Sequence, residues 1–558
     1  MAKKKDTKGY PYRQRFVMVI DLENDSFSKV ELSQSDAKKY LGGRSLALKL
    51  WEDYSESDKL KKEFYESGNA VVIAPGAACD QGFEQFKSVS IVSFSAESNG
   101  LSISSFSSIP LVYALSGLGC SALVLKNRSR RLSRIDINSD GVNFTNVEEM
   151  HLMKTDEVEI QGGSATCIVS IGPAGELGIP YASLVVNGKN YTRGGVGSVL
   201  GNKNLKMICL DASEIVRPLY YENRSEDFHK FLSLFPKQRD NFLEESNAMG
   251  WAAIEGFRYR KNPRLWGLGG NERTADCTLD WEIALALGAN LGFYDWEHVA
   301  LLERATTSYG LDPITMGIVI LWVLSAEEKG LIDLNIDASL NRYDKCLKII
   351  EGIGMEKGSF SKVSASVATL CEKYGNTDYN FTAYHKELWP FDLRGLQTFA
   401  IAIAVDDDTL VPCNLFKQVK GKKIVSSLFM SQCIRRTLES LGLDWNQCIR
   451  LLSQSTCSKH FVRTNKIFQN FALCLSVSEG YEWTPTSLFQ FGKRALFEEL
   501  QLVKKYNPHY NPSNDCIPEY FQTESESSYK SNDVVKLGGM LADYLALLSL
   551  EFREFEEE

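Results

Sequence analysis

The sequence predicts an α+β fold: a β-sheet-rich N-terminal domain over residues 1–212, then two mainly α-helical domains over 213–385 and 386–558. Short apolar runs with period-two alternation, separated by Gly, Ser and Asn turns, fill the first 212 residues. From about Val216 the apolar spacing turns helical. The chain has 558 residues, 44% hydrophobic and 24% charged, which suits several domains around a large core.

Each element follows from its pattern. Residues 15–22 and 27–32 flank the polar turn Glu23-Asn24-Asp25-Ser26 and read as a β-hairpin. Residues 33–51 read as a helix behind a Ser cap, broken at Gly42-Gly43. The glycine pair beside Arg44 suits anion contact or a plain helix break. Residues 70–76 form a buried strand ending in a turn, and 88–95 and 122–125 alternate as strands. Between these lies a serine-rich segment, 102–108. Further strands are predicted near 134–137, 142–144 and 167–171. Helices are predicted at 281–291, 296–308, 314–328, 343–353, 427–441, 487–504 and 533–555, with loops at 412–425 and 507–523.

Composition excludes several function classes. A net charge of −9 argues against general affinity for nucleic acid. No run approaches the roughly 18 apolar residues that span a bilayer. The basic start Met1-Ala2-Lys3-Lys4-Lys5 lacks the apolar core of a secretory signal and reads as a solvated tail. The 13 cysteines are dispersed without a C-x-x-C pair, which predicts reduced thiols in a cytoplasmic setting and no local cysteine-clustered metal site.

Residues 171–206 are the most informative stretch. Arg193 leads into Gly194, Gly195, Gly197 and Gly201, and Lys203 and Lys206 follow. Dense glycine with fixed positive charge reads either as a tight structural turn or as an anion site, most naturally for phosphate. Neither a dinucleotide fingerprint nor a Walker loop is present.

The chain resembles the aldehyde ferredoxin oxidoreductase family. The resemblance is strongest over 171–206 and continues through Leu41-Gly42-Gly43-Arg44, Ala286-Leu287-Gly288-Ala289-Asn290-Leu291-Gly292 and Asp392-Leu393-Arg394-Gly395. It implies a β-rich base carrying two helical domains around a tungsten or molybdenum bis-pterin, with Mg2+ bridging the pterin phosphates. Two hexads of the family's D-x-x-G-L-(D/C) type would each meet one pterin edge, whose N–H donors suit carboxylates. Here they read Thr307-Ser308-Tyr309-Gly310-Leu311-Asp312 and Glu439-Ser440-Leu441-Gly442-Leu443-Asp444. The resemblance also assigns Lys87, Arg193, Gly194, Gly195, Gly197 and Arg394 to the cofactor. It gives Glu282 the place of a general base and Asn414, beside Cys413, the place of the family's histidine.

The departures are specific. The family's cysteine run corresponds to residues 258–266, which hold no cysteine, and the fourth ligand position is Asp444. Thiolates are the ligands such a cluster requires, so no [4Fe-4S] cluster is expected there. Asparagine donates a hydrogen bond but shuttles no proton near neutrality. Asp406-Asp407-Asp408 replaces a more basic segment, and 104–108 replaces a loop that helps hold the magnesium. Two readings follow: a cluster-free oxidoreductase acting on an aldehyde or oxo group, or a non-catalytic paralogue serving as an assembly or regulatory subunit. Possible partners are an electron-transfer subunit, a paralogue or a second copy of the chain.

Overall fold

Two six-stranded mixed sheets build the N-terminal part. In this computed structural model the described residues are 15–56, 68–81, 86–190, 192–212, 281–293, 295–388, 390, 397–407, 422–443, 468–469, 471–472, 475–476, 482–513, 516–522 and 537–557. Strands β1 (Phe16–Asp21) and β2 (Ser26–Glu31) form the expected hairpin, with β2 exposed along its whole length as an edge. Helices α1 (Gln34–Tyr40) and α2 (Gly43–Tyr54) follow, split at Gly42 as the glycine pair predicts. Strands β3 (Val71–Pro75), β4 (Ser88–Phe94), β5 (Leu101–Ser107) and, after helix α3 (Ile109–Gly117), β6 (Cys120–Lys126) complete the first sheet. Its order is β2-β1-β6-β3-β4-β5, antiparallel except for β1 beside β6. β3 and β4 are buried throughout, and unbroken apolar runs such as Val71–Ala74 suit strands covered on both faces.

The second sheet contains β7 (Ser133–Asn138), β8 (Gly141–Asn146), β9 (Cys167–Ser170), β10 (Val185–Val186), β11 (Lys189–Asn190) and β12 (Leu205–Leu210). Its order is β11-β10-β9-β12-β7-β8. Helices α4 (Thr155–Gly162), α5 (Pro173–Glu176) and α6 (Val196–Asn202) connect these strands.

The remaining described elements are mostly helical. They are α7 (Trp296–Tyr309), α8 (Pro313–Glu328), α9 (Arg342–Gly354), α10 (Val367–Tyr374), α11 (Gln397–Ala404), α12 (Lys422–Leu441), α13 (Pro485–Tyr506) and α14 (Gly538–Glu556). A small hairpin, β13 (Thr382–Ala383) with β14 (Lys386–Glu387), interrupts them. α8 is apolar around most of its circumference and is buried from Pro313 to Ala326 except at Leu321, as such a helix must be. Among the described residues no helix is long and apolar enough to cross a membrane.

Four stretches differ from the expectations. The serine-rich segment 102–108, whose pattern assigns it no element, is largely strand β5; its serines pair across β4, with Ser90 Oγ and Ser105 Oγ 2.8 Å apart. Period-two alternation was hidden there because both faces carry serine. The helix expected at 281–291 is a short α-turn, a π-helical turn at Ala284–Gly288 and a 3-10 turn at Ala289–Leu291. Gly317 explains the tight packing there: a Cβ on it would lie 2.6 Å from Ala286 O. The loop expected at 412–425 gives way to α12 from Lys422, and the loop expected at 507–523 contains a four-residue helix at Glu519–Gln522.

Candidate functional site

Both predicted hexads end a helix and dock it on the N-terminal part in the same way. At the end of α7, Gly310 takes φ +71° and Leu311 N donates to Thr306 O at 3.1 Å. At the end of α12, Gly442 takes φ +106° and Leu443 N donates to Leu438 O at 3.0 Å. These are helix C-caps of the left-handed glycine type. Gly310 and Leu311 then meet segment 181–183: Ser183 N donates to Gly310 O at 2.8 Å, Asp312 N to Tyr181 O at 3.0 Å, and Ala182 bridges Leu311. Gly442 meets segment 76–88: Ser88 N donates to Gly442 O at 2.9 Å, Ala77 N to Ser440 O at 2.9 Å and Ala78 N to Leu441 O at 3.0 Å.

Glycine faces glycine at each dock. A Cβ on Gly172 would lie 2.4 Å from Tyr309 C, and one on Gly310 2.6 Å from Gly172 N. A Cβ on Gly76 would lie 2.1 Å from Gly442 Cα, and one on Gly442 2.4 Å from Cys79 Sγ. Leu311 and Leu443 are fully buried. The Gly-Leu pairs thus pack the two helix ends against the N-terminal part, and none of the four residues lines the neighbouring chamber.

The chamber lies between the docks. Its volume is about 560 Å³, within the range of small-molecule sites. One wall is strand β5, which brings Ser102, Ser104, Ser105 and Ser107 to the lining. Arg193 and Gly194 precede α6, Asp312 caps α8, and Glu387 belongs to β14. Glu282 joins them from the turn before the π-helix, and Lys87, Arg44, Arg435 and Glu499 are among the further polar residues of the lining.

Arg193 and Asp312 form one charged pair. Arg193 Nε donates to Asp312 Oδ2 at 3.1 Å and Nη2 to the Glu387 carbonyl at 2.7 Å. Burial works against the guanidinium's charge, and Asp312, Glu97 and Glu387 more than offset it, so Arg193 stays a cation. Asp312 also accepts from Ile314 N at 3.0 Å and Thr315 Oγ1 at 2.7 Å, which caps α8.

A second charged cluster holds Glu439, the leading acid of the second hexad. Glu439 is fully buried and accepts from Arg44 Nη1 at 3.1 Å, Arg435 Nε at 2.7 Å and Ser105 Oγ at 3.4 Å. Arg44 also grips Glu499 through Nε at 2.7 Å and Nη2 at 2.6 Å. Arg436 Nη2 bridges Glu499 and Asp407, each at 2.6 Å. Burial raises the Glu499 carboxyl, but Arg436 and Arg44 outweigh it and leave the group at about 2. Arg44 thus meets protein carboxylates, which resolves the two readings of its glycine pair.

Other predicted residues sit elsewhere. Gly195 and Gly197 are buried against Pro180 and Ala182–Ser183, where a Cβ would lie 2.0 Å and 2.6 Å from main-chain oxygens. Lys203 and Lys206 point away from the chamber: Lys203 Nζ donates to Asn127 O at 2.8 Å, and Lys206 pairs with Glu176. Their positive charge therefore forms no anion site with Arg193. Asn414, Arg394, Asp444, Cys413 and residues 258–266 lie outside the described residues. The sequence reading missed Glu97, Glu387, Arg435 and Glu499. Glu97 and Glu387 are 290 positions apart in the chain and carry no local spacing that could pair them.

A sheet-built base and helical layers enclosing a charged chamber define an α+β architecture with its candidate site at the seam. The chain belongs to the aldehyde ferredoxin oxidoreductase family: the family's N-terminal domain matches residues 17–212, and its domains 2 and 3 match residues 269–551. A tungsten-containing aldehyde ferredoxin oxidoreductase of Pyrococcus furiosus is 25% identical over 455 residues, covering 70% of this chain and 72% of that one. The Thermococcus kodakarensis protein of the same name is 24% identical over 447 residues, covering 70% and 72%. The WOR-like subunit of an aliphatic sulfonate oxidoreductase of Pyrococcus furiosus is 22% identical over 424 residues, covering 64% and 66%. Among solved structures, the BamBC active-site complex of benzoyl coenzyme A reductase with 1,5-dienoyl-CoA shares the fold at a TM-score of 0.67 and 15% identity, covering 98% of this chain and 100% of that one.

Proposed function

We propose that the chain is an oxidoreductase subunit acting on an aldehyde or oxo group in this chamber, with a tungsten or molybdenum bis-pterin and without an adjoining [4Fe-4S] cluster. The proposed division is 1–212, 213–385 and 386–558, with a cytoplasmic location. One observation carries the reading: Glu282, only 8% exposed, opens onto the same chamber as the Arg193–Asp312 pair. A bound pterin metal would supply two-electron redox chemistry.

The residues fit such a group on one side. Asp312 is 2% exposed and lines the chamber; its Oδ2 already accepts from Arg193 and Thr315, and its Oδ1, which accepts from Ile314 N, keeps a further lone pair for an N–H donor. Arg193 and Lys87 are the cations for phosphate, and the hydroxyls of β5 are the oxygen donors for magnesium. Glu282 takes the proton released from substrate or water. Asn414, Arg394, Asp444 and Gly194 complete the proposed cofactor contacts.

The other side favours the second reading. Both Glu439 oxygens already accept from arginines, so that acid offers a pterin edge much less than an aspartate facing the chamber would. A non-catalytic paralogue that retains the fold as a partner of an electron-transfer or catalytic subunit would have this arrangement.

Elemental analysis after expression in a tungstate-supplied host separates the two. The enzyme reading expects about one tungsten or molybdenum and two pterins per chain with little iron. Absence of both metals, in a host that loads a cysteine-bearing relative, refutes it. Glu282→Gln then tests the base: metal content is retained and turnover falls by about 10²–10⁴-fold.

A further inference from the structure

Glu97 and Glu387 face each other in the chamber wall. Glu97 follows β4 in a turn held by Ser95, whose Oγ accepts from Glu97 N and Ser98 N, both at 3.1 Å, and donates to Gly194 O at 2.9 Å. Glu387 lies on β14, and its Oε1 accepts from Val367 N at 2.8 Å. The residues are 8% and 2% exposed. Glu97 Oε1 and Glu387 Oε2 are closed to solvent, and no donor among the described residues reaches either.

The charges around them explain what must fill that gap. Arg193 faces the pair from the loop before α6, and Asp312 from the cap of α8. Tyr181, whose hydroxyl is also buried without a partner, faces it from the segment before β10. Glu356, beyond the end of α9, lies toward Tyr181, and Cys371 faces Glu387 from α10. Arg193 is the cation of this group, and Asp312 already holds its Nε. One guanidinium against Glu97, Glu387 and Asp312 leaves two negative charges if every carboxyl is ionised. Two carboxylates in contact, away from water, do not both stay ionised. Burial first, and then Glu387, pushes the Glu97 carboxyl well above the ordinary range. A shared proton satisfies both orphan oxygens with one hydrogen bond.

We propose that Glu97 and Glu387 hold one proton between them and form a proton-binding site of the chamber, which takes up a further proton when an anion binds beside Arg193. An entering anion competes with Asp312 for the guanidinium and adds negative charge beside the pair. Uptake of a proton offsets that charge. The second half of the proposal rests on the reading of Arg193 as an anion-facing residue; the first half does not.

Three measurements test it. Infrared difference spectra of the full chain between pH 7 and pH 9 show a carboxylic-acid C=O band at the lower pH that is missing from the Glu97→Gln/Glu387→Gln double variant. Absence of that band from the wild type overturns the shared proton. Glu97→Gln alone mimics the protonated acid at equal size. Its melting temperature matches wild type at pH 5 and exceeds it increasingly toward pH 9, because the raised carboxyl stabilises the fold only while protonated. A variant less stable than wild type by the same margin across that range overturns the proposal, since Glu97 would then serve as an ionised partner of Arg193. Finally, calorimetry of inorganic pyrophosphate binding, in two buffers of different ionisation enthalpy, reads proton uptake. Wild type takes up about one proton and loses affinity about tenfold per pH unit, and Glu97→Gln takes up none. Equal uptake in both proteins overturns the linkage. A wild type that shows the band yet binds no pyrophosphate supports the pair and refutes the anion reading of Arg193.

Discussion

Replacing Arg44 with methionine removes the guanidinium that joins α2 to α12 and α13 while keeping an apolar stem. The size of the effect follows from Glu499. Its carboxyl stands at about 2 against a reference of 4.5. The difference of 4.5 − 2, at about 1.4 kcal/mol per pH unit, is roughly 3 kcal/mol of favourable interaction. Arg44 gives Glu499 two hydrogen bonds and Arg436 gives one. About 2 kcal/mol therefore leaves with Arg44, and the lost donor to Glu439 adds about 1 kcal/mol. The total of about 3 kcal/mol sits at the lower edge of what breaking a buried pair costs. Denaturant unfolding followed by tryptophan fluorescence at pH 7 reads it directly. The pH dependence supplies the sign. A depressed carboxyl stabilises the fold above its unfolded value and loses that contribution as pH falls from about 4.5 toward about 2. Arg436 still depresses the carboxyl in the variant, so the gap between wild type and variant narrows by about 0.5 kcal/mol at pH 3.5 and by more than about 1 kcal/mol at pH 2.5. A gap below about 1 kcal/mol at pH 7, or one that does not change down to pH 2.5, refutes this account of the cluster.

Gly442→Ala and Gly310→Ala each place a Cβ against the N-terminal part at a left-handed φ, costing about 2–5 kcal/mol from strain and overpacking together. Limited proteolysis and melting temperature check this; wild-type behaviour of both would show that the docks can shift. Arg193→Ala leaves Asp312 buried without its cation, so chamber anion affinity falls at least tenfold and the melting temperature drops; Arg193→Lys recovers part of the stability and less of the affinity, for want of the fork. Lys203 is held at about 7 by burial. A depressed lysine gives its full stability above its unfolded value near 10.5 and loses it as pH falls toward about 7. Lys203→Met is therefore more stable than wild type at pH 7, with an advantage that fades toward pH 10, less about 1–3 kcal/mol for the Asn127 carbonyl it leaves unpaired. Equal melting temperatures across that range would show Lys203 to be solvated.

The fold class was legible because its signals are local. The apolar run within Phe16–Asp21, the Gly42-Gly43 break and the Ser33 cap of the first helix are each decided within a few residues, and the structure keeps them. The chamber was legible only where a motif spans it. Asp312 and Arg193 were named because each lies in a recognisable run. Glu97, Glu387, Arg435 and Glu499 come from four separate elements and meet only through the tertiary fold, so no periodicity marks them. The hexads show how one motif carries two constraints at once. Their glycines and leucines are fixed by docking, since a Cβ at Gly310 or Gly442 would meet main chain or Cys79 at 2.6 Å or less. That constraint holds whether or not a cofactor binds. Survival of G-L-D in this chain is thus evidence for the interdomain seam first. The acids bear on chemistry, and here they diverge: Asp312 faces the chamber beside Arg193, while Glu439 is bound by Arg44 and Arg435. The asymmetry between these two positions, more than the motif they share, is what the metal and pterin measurements will interpret.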